Sequence, residues 1–289
     1  MTDQAAALRQ LMNKVRKDER PASGSTCQIT AITSGKGGVG KSNITVNLGI
    51  ALARTGAKVL VLDADIGTAN IDILLNMDPR HHLGHVTEGK ASIIQILEKL
   101  DDNLYLIPGA SGVSGLAEMP ADKLKRLRTD LDQIESMFDH VLVDTAAGVS
   151  PAVINLLLGA DRILLVCSDE PTSIVDAYAL CKVLYKENPD AFVELIANNV
   201  QGEAEAQDVY GKLRIAIKHF LEKELHFLSY VVHDEAIGQA VINQKPLLMT
   251  GASGGAVDSF TTLASKLAHP SDWSGGRGVH QLFSLLLES

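Results

Sequence analysis

A glycine-rich stretch that carries two lysines and a serine is the part of this sequence best suited to bind a polyphosphate. The segment Gly35–Ser42 reads GKGGVGKS. Its glycines let backbone N–H groups approach phosphate oxygens without interference from a Cβ atom. Lys41 is placed to reach the β- and γ-phosphates, and the Ser42 hydroxyl is placed to ligate Mg²⁺. The expected nucleotide contacts are Gly37, Gly38, Val39, Gly40, Lys41, Ser42 and Asn43.

Three aspartates at the ends of predicted strands could complete such a site. Asp63 and Asp65 follow an apolar run at 58–62, and Asp144 follows another at 141–143. The carboxyl ends of parallel strands form the edge of a sheet where ligands bind. We expect Asp63 and Asp144 to serve the Mg²⁺ ion and Asp65 to orient or activate the attacking water. A turn that is rich in aspartate for conformational reasons is the alternative for the first two.

The elements around these residues predict an α/β fold. A strand precedes the glycine-rich loop and a helix follows it, which argues against a chance match in a glycine-rich turn. Strands and helices then alternate, which indicates one doubly wound, mostly parallel sheet with helices on both faces. The predicted strands are 29–33, 58–62, 104–107, 141–144, 163–167, 193–197 and 227–232, and the helices are 43–53, 91–100, 122–137, 173–185, 205–221, 236–242 and 255–267.

Three histidines between His81 and His85 suggest a metal site at first sight. Neither an acidic residue nor a cysteine stands at a matching spacing, so we interpret this stretch as a solvated loop. The cysteines, Cys27, Cys167 and Cys181, are scattered and match no metal spacing. They are typical of reduced thiols in a cytosolic protein.

Composition limits the classes of function. The chain has 289 residues, enough for one large or two small domains, and 46% of them are hydrophobic. Its formal net charge of −9 argues against a broad, non-specific surface for nucleic acid. The N-terminus lacks the apolar core of a signal peptide, and no apolar run approaches the length of a membrane span. We therefore expect a cytoplasmic protein, with peripheral membrane contact left open.

Both ends of the chain stand apart from the body. Residues 3–12 predict a short helix with an apolar stripe, and 21–25 predict a linker. Such a tethered helix is either a partner-binding segment or a disordered tail. Near the other end, 274–278 predict a second linker before a second amphipathic helix. Its apolar stripe is formed by Val279, Leu282, Phe283, Leu286 and Leu287. The expected division is therefore 1–26, 27–273 and 274–289.

The additional lysine in the loop, Lys36, resembles the signature lysine of the MinD/ParA-type deviant Walker A ATPases. Within that group the chain resembles the FlhG proteins, also called FleN or YlxH, which regulate flagellar number. The stretches Asp144–Gly148 and Asp169–Ser173 resemble the FlhG forms of the later motifs. Asp3–Arg9 resembles the FlhG segment that stimulates the GTPase FlhF. The resemblance implies ATP or ADP and Mg²⁺ as ligands and slow hydrolysis by a dimer.

The resemblance also assigns roles to individual residues. Lys36 would cross the dimer interface to the partner's nucleotide, and Lys41 and Asp144 would be the phosphate lysine and the Walker B carboxylate. Asn198 matches the asparagine that contacts adenine, although Asn199 beside it leaves the register open. Asp234 is a second candidate for a base contact, but Val232 stands where relatives have proline. Gly148 is placed to sense the γ-phosphate.

The same resemblance implies partners and a location. It implies an ATP-bound homodimer, an FlhF-type GTPase bound through Asp3–Arg9, and a flagellar switch protein or a transcription regulator as a further partner. The C-terminal helix matches the membrane-targeting helix of MinD and FlhG, which implies reversible contact with the cytoplasmic membrane. Only Arg277 and His280 are basic there, so attraction to anionic lipid would be weak. A helix that simply packs on its own domain is the alternative.

Two other functions fit the same fold. A ParA-like ATPase that positions DNA or cargo would need a basic face near the C-terminus, whereas lysine and arginine are sparse after residue 245. A metal-cluster scaffold protein or a metabolic P-loop enzyme is the third hypothesis. A scaffold protein would carry a CxxC pair late in the chain, and this sequence has none.

Overall fold

A computed structural model describes residues 27–65, 70–109, 121–268, 278–279 and 282–283. The predicted N-terminal helix and linker, within 1–26, lie outside the described residues. The same holds for most of the predicted C-terminal linker and for Leu286 and Leu287.

Eight strands form one sheet in the order β3-β4-β2-β5-β1-β6-β7-β8, and all neighbours are parallel except β3 and β4. This confirms the predicted doubly wound, mostly parallel sheet. The strands are β1 Gln28–Thr33, β2 Val59–Ala64, β3 Glu98–Asp101, β4 Leu104–Ile107, β5 His140–Thr145, β6 Arg162–Cys167, β7 Val193–Val200 and β8 His226–Val232.

Helices cover both faces of this sheet. One core lies between the sheet and α4 to α7, and the other lies between the sheet and α1, α8 and α9. The strands β1, β2, β4 and β5 are buried along their whole length and are mostly apolar, because both faces of the sheet are covered there. The helices are α1 Lys41–Arg54, α2 Ile71–Leu74, α3 Leu83–Thr87, α4 Ala121–Met137, α5 Pro151–Gly159, α6 Pro171–Glu187, α7 Glu203–Leu221, α8 Glu235–Ile242 and α9 Gly255–Ala268, with 3₁₀ turns at Ile93–Ile96 and Leu247–Met249.

The helix predicted at 91–100 is wrong. A single 3₁₀ turn at Ile93–Ile96 is followed by the edge strand Glu98–Asp101, which pairs antiparallel with β4. Ile93 and Ile96 are both fully buried by this turn. Pairing with a neighbouring strand therefore overrides the local helical pattern. The stabilisation from this pairing is not part of the local helix propensity on which the prediction relied.

The predicted loop around the histidines is also partly wrong, because Leu83–Thr87 is a short helix. His82 precedes it, and the backbone N–H of His82 donates to Nδ1 of His85 at 3.2 Å. Leu83 is buried, so the segment is anchored to the core rather than fully solvated.

The described part of the C-terminal segment packs on the body of the protein. Val279, Leu282 and Phe283 are 0%, 0% and 1% exposed and belong to the core beside α4. The backbone N–H of Val279 donates to the carboxylate of Glu135 in α4 at 3.1 Å. Both hypotheses for this helix expect such docking in the absence of ATP. Among the helices that the model describes, none combines the length and the apolarity needed to cross a membrane.

Candidate nucleotide-binding site

The glycine-rich loop leaves β1 and enters α1 at the carboxyl edge of the sheet. Gly38 and Gly40 have φ angles of 78° and 88°, in the left-handed region that favours glycine. Gly40 is the residue that precedes the first turn of α1, so the backbone N–H groups of that turn open toward the loop. At Gly35 a Cβ atom would lie 2.1 Å from the carbonyl carbon of Asp176. The loop therefore lies in direct backbone contact with α6.

Lys41 and Asp144 form a buried ion pair at the centre of the site. Nζ of Lys41 donates to Oδ1 of Asp144 at 2.9 Å, and the hydroxyl of Thr45 donates to the same oxygen at 3.2 Å. Burial raises the pKa of Asp144, while Lys41, Ser42 and Thr45 act in the opposite direction. The structure thus brings together three predicted residues, and it adds Thr45. Thr45 follows Lys41 by four residues, which is about one helical turn. This i+4 spacing is the sequence signal by which Thr45 could have been predicted.

The donor set fits a hard cation. Oδ2 of Asp144 is buried and accepts no hydrogen bond from a described residue. The half-buried Ser42 supplies a hydroxyl oxygen beside it, and oxygen ligands are the ones that Mg²⁺ prefers. Ser42 and Asp144 are therefore the residues of this chain that would hold Mg²⁺.

Asp63, at the same edge of the sheet, accepts hydrogen bonds from the backbone that follows β2. It stands opposite Asp144 in the register of β2 and β5. Its Oδ1 accepts the N–H of Asp65 at 3.1 Å, and its Oδ2 accepts those of Asn70 and Ile71 at 3.3 Å each. Burial, followed by the charge of Asp144, raises the pKa of Asp63 to about 7. Both carboxylate oxygens of Asp63 thus accept hydrogen bonds from backbone N–H groups that follow β2. Direct metal ligation by Asp63 stays a prediction.

Asp65 is 9% exposed and follows β2 directly. Residues 66–69, which follow Asp65, lie outside the described residues. The role of Asp65 toward a water molecule stays a prediction. Gly148 lies beside the start of the glycine-rich loop, since its N–H donates to the carbonyl of Ser34 at 2.9 Å.

Lys36 is held within its own chain. Its Nζ forms an ion pair with Glu170 and donates to the hydroxyl of Thr172 at 3.0 Å. Glu170 precedes the first turn of α6, and Thr172 lies in that turn. The side chains of Lys36 and Glu170 are 35% and 59% exposed, so this pair is accessible to competing partners. The motif around Glu170 was singled out by resemblance, but its contact with Lys36 was not foreseen.

A cleft of about 290 Å³ continues from the loop toward the ends of β7 and β8. Nδ2 of Asn198 donates to the carbonyl of Val39 at 2.7 Å, which ties β7 to the loop. Asp234 caps α8: Oδ1 accepts the N–H of Ala236 at 2.9 Å, and Oδ2 accepts that of Ala256 at 3.2 Å. Both predicted base contacts line the cleft, but each is hydrogen-bonded to backbone.

Two further residues at this end were not predicted as site residues. Asn199 has a φ angle of 61°, at the point where the register of β7 and β8 shifts between Asn198 and Val200. Its Oδ1 lies 2.7 Å from Nδ1 of His233. The double asparagine is thus a bulge that sends one side chain to the loop and the other to His233. A bulge of this kind leaves no clear signature in one sequence.

Asn43 points elsewhere. Its Oδ1 accepts a hydrogen bond from Asn47 at 3.0 Å, and its side chain lines a groove that also includes Leu74 and Val241. Any contact between Asn43 and a phosphate would therefore come from its backbone N–H group, within the first turn of α1.

Comparison with known proteins was consistent with this geometry. Residues 27–188 match the family model described as AAA domain. The antiactivator FleN of Pseudomonas aeruginosa is 35% identical over 83% of this chain and 86% of its own. The flagellum site-determining protein YlxH of Helicobacter pylori is 35% identical over 86% and 84%. The Pyrococcus horikoshii septum site-determining protein MinD, solved with Mg-ADP, superposes with a TM-score of 0.66 at 22% identity, covering 83% of this chain and 96% of that one.

Proposed function

Because the chain belongs to the MinD/ParA-type ATPases, alongside FleN and YlxH, we propose that it is an ATP-switched dimer that regulates the number and placement of flagella. The observation that carries this proposal is the pair of lysines in Gly35–Ser42. One is buried and paired with the Walker B aspartate, and the other is half-buried and paired with Glu170 at the start of α6. This arrangement provides one lysine for the chain's own nucleotide and one for that of a neighbour.

In the proposed reaction, Lys41 leaves Asp144 for the β- and γ-phosphates as ATP enters. This exchange keeps the ammonium paired throughout, which matters because an unpaired buried charge is costly. It also frees the carboxylate of Asp144, which with Ser42 would hold Mg²⁺. Bound Mg²⁺ neutralises part of the charge on the β- and γ-phosphates. Asp65 then orients the water that attacks the γ-phosphate, and hydrolysis is slow because it waits for the dimer.

Dimerisation in this proposal requires Lys36 to release Glu170 and reach the nucleotide of the partner. Exposed apolar residues beside the site support a docking face. Val149, next to the switch glycine, is 45% exposed, and Val175 in α6 is 64% exposed. Hydrolysis would remove the phosphate that Lys36 contacts and return the protein to monomers.

The test is a mass measurement by light scattering with Mg-ADP and with Mg-ATP, using the Asp65→Ala variant to prevent turnover. We expect a monomer with ADP and a dimer with ATP. Lys36→Gln should still bind ATP, yet it should remain monomeric and inactive. Lys182→Gln, which removes an exposed lysine of α6, is the matched control and should dimerise normally. A normal ATP dimer formed by Lys36→Gln would remove the intermolecular role of Lys36.

We further propose that the segment Asp3–Arg9 activates an FlhF-type GTPase. The proposal rests on the resemblance of this segment to the FlhG activator. A peptide of residues 1–20 should raise the GTPase rate, with Gln4 and Arg9 as polar contacts and Leu8 as the apolar anchor. An unchanged rate after Gln4→Ala and Arg9→Ala together would favour a tail without this role. A flagellar switch protein or a transcription regulator is a further proposed partner.

The C-terminal segment is proposed to bring the ATP dimer to the cytoplasmic membrane reversibly, from an otherwise cytoplasmic pool. Its described apolar residues are buried in the core beside α4, so they must be released before they can contact lipid. With few basic residues in the segment, affinity would come from the apolar face, doubled in the dimer. Liposome sedimentation of Asp65→Ala should depend on ATP and disappear with Phe283→Glu. Sedimentation that is absent or indifferent to nucleotide would leave a helix that only packs.

A further inference from the structure

We propose that His233 reads the nucleobase and selects a purine with a 6-amino group over one with a 6-oxo group. This inference rests on the proposed function, since it concerns the base of the same nucleotide. His233 is exposed on the rim of the 290 Å³ cleft, between β8 and α8. Its backbone N–H donates to the carbonyl of Val200 at 2.8 Å, which fixes the position of the residue.

The side chains expected to read the base have limited capacity left. Asp234 accepts one backbone N–H on each carboxylate oxygen, and both of those contacts hold the start of a helix. A Cβ on Gly255, the first residue of α9, would lie 2.6 Å from the same carboxylate, so Asp234 is enclosed on that side. Asn198 has committed one N–H of its amide to Val39. The side-chain oxygen of Asn198 and the imidazole of His233 both line the cleft and can accept hydrogen bonds from a base.

The hydrogen bond to Asn199 determines what the imidazole offers. The oxygen Oδ1 of Asn199 can only accept, so Nδ1 of His233 must carry the proton of that bond. In the neutral ring, Nε2 then has a free lone pair and acts as an acceptor. The left-handed backbone of Asn199 at the strand bulge is what aims its side chain at the histidine. Asn199 is therefore a positioning residue that fixes the tautomer.

An acceptor at Nε2 distinguishes two kinds of purine. The 6-amino group of adenine carries two N–H donors, which suit the oxygen of Asn198 and Nε2 of His233. The 6-oxo group of hypoxanthine or guanine is an acceptor, so it cannot donate to the oxygen of Asn198 or to Nε2 of His233 and leaves both unpaired. Rejection by unpaired polar groups is an effective source of specificity in binding sites.

The experiment compares ADP with inosine diphosphate, in the presence of Mg²⁺, by isothermal titration calorimetry on the full chain. The two nucleotides share the diphosphate and ribose and differ at position 6 and N1 of the base. We expect the unmodified protein to bind ADP about tenfold more tightly. His233→Ala should weaken ADP binding about five- to tenfold and leave inosine diphosphate unchanged. His233→Gln should bind both, because a carboxamide can present a donor or an acceptor.

Gln239→Ala, which changes an exposed residue of α8 that does not line the cleft, is the matched control and should keep the original ratio. Equal weakening of both nucleotides by His233→Ala, or no weakening of either, would overturn the selective role while the ATPase proposal stands. Failure of the unmodified protein to bind ADP would instead contradict the proposed function itself. Asn199→Ala should reduce the ratio without abolishing ADP binding, as expected for a positioning residue.

Discussion

The two ends of the cleft are built in different ways. At the phosphate end, Lys41, Asp144 and Thr45 are buried and hydrogen-bonded to one another through their side chains. At the base end, Asn198 and Asp234 are hydrogen-bonded to backbone groups, and His233 is exposed. The phosphate end therefore holds charges that need a replacement partner when ATP enters. At the base end, Asn198 and Asp234 can keep their backbone hydrogen bonds when a base enters.

This difference suggests where the free energy of binding and the selectivity arise. At the phosphate end, a buried ion pair is exchanged for contacts with phosphate, and both are strong, charge-assisted interactions. Substitutions at this end should therefore have large effects on binding. Hydrogen bonds to a base at an exposed rim are weaker, so substitutions there should change preference more than affinity. The following predictions test the comparison, in order of decreasing effect.

Asp65→Ala should reduce the rate of ATP hydrolysis by about a hundredfold or more while ATP affinity stays close to that of the unmodified protein. The physical reason is that an aspartate placed to orient water acts on the attack, whereas Lys41 and the loop hold the phosphates. Phosphate release and equilibrium ATP binding measure the two quantities separately. Equal hydrolysis by both proteins would remove Asp65 from the mechanism.

Lys41→Gln should weaken ATP binding by about a hundredfold, because a positive charge on the phosphates is lost. It should also lower the free energy of unfolding of the nucleotide-free protein by about 3 kcal/mol, since Asp144 is left buried without its cation. Urea denaturation measures the second effect. Lys41→Gln combined with Asp144→Asn should recover part of that stability, and the absence of any recovery would contradict a coupled pair.

Asp63→Asn should change how stability depends on pH. The folded pKa of about 7 lies above the ordinary value of 3.8, so the folded state holds a proton that the unfolded state has lost. Stability from this group is present at low pH and is lost as pH rises through 7. Between pH 6 and pH 8 without Mg²⁺ or nucleotide, the unmodified protein should lose on the order of 1 kcal/mol more stability than Asp63→Asn. Parallel stability curves would contradict the raised pKa.

Glu170→Gln should strengthen ATP-dependent dimerisation by about two- to fivefold. The ion pair with Lys36 is partly exposed, so its loss frees the lysine at small cost. Sedimentation equilibrium of this variant in an Asp65→Ala background measures the dimer affinity. Glu203→Gln, an exposed glutamate at the start of α7, serves as the control. Weaker dimerisation of Glu170→Gln would show that Glu170 supports the dimer instead of competing with it.

The phosphate end could be predicted from the sequence because its signals are local. The loop is contiguous, and Asp63 and Asp144 each end an apolar run, so parallel pairing brings them opposite each other. The alternation of strands and helices likewise predicted the doubly wound, mostly parallel sheet, apart from the 91–100 region. In that region the pattern of apolar residues was compatible with a helix, but residues 98–101 form a strand because they pair with β4.

Other contacts of the site could not be predicted in the same way, because they join residues distant in the sequence or depend on local backbone conformation. Glu170 meets Lys36 across 134 positions of the chain. Asp234 caps α8 with one carboxylate oxygen, and its other oxygen accepts the N–H of Ala256 in α9, 22 positions further along the chain. The choice between Asn198 and Asn199 depends on a shift in strand register that hydrophobic alternation does not encode.

The short antiparallel strand at one margin of the sheet bears on how copies of this protein can associate. β3 is four residues long and carries Glu98, Lys99 and Asp101. A neighbouring chain that tried to add a strand there would find few free backbone groups and charged side chains among them. Addition of a strand at this edge of the sheet is thereby discouraged. In the proposed cycle of dimer formation and separation, this edge would therefore not add a second, nucleotide-independent way for chains to associate.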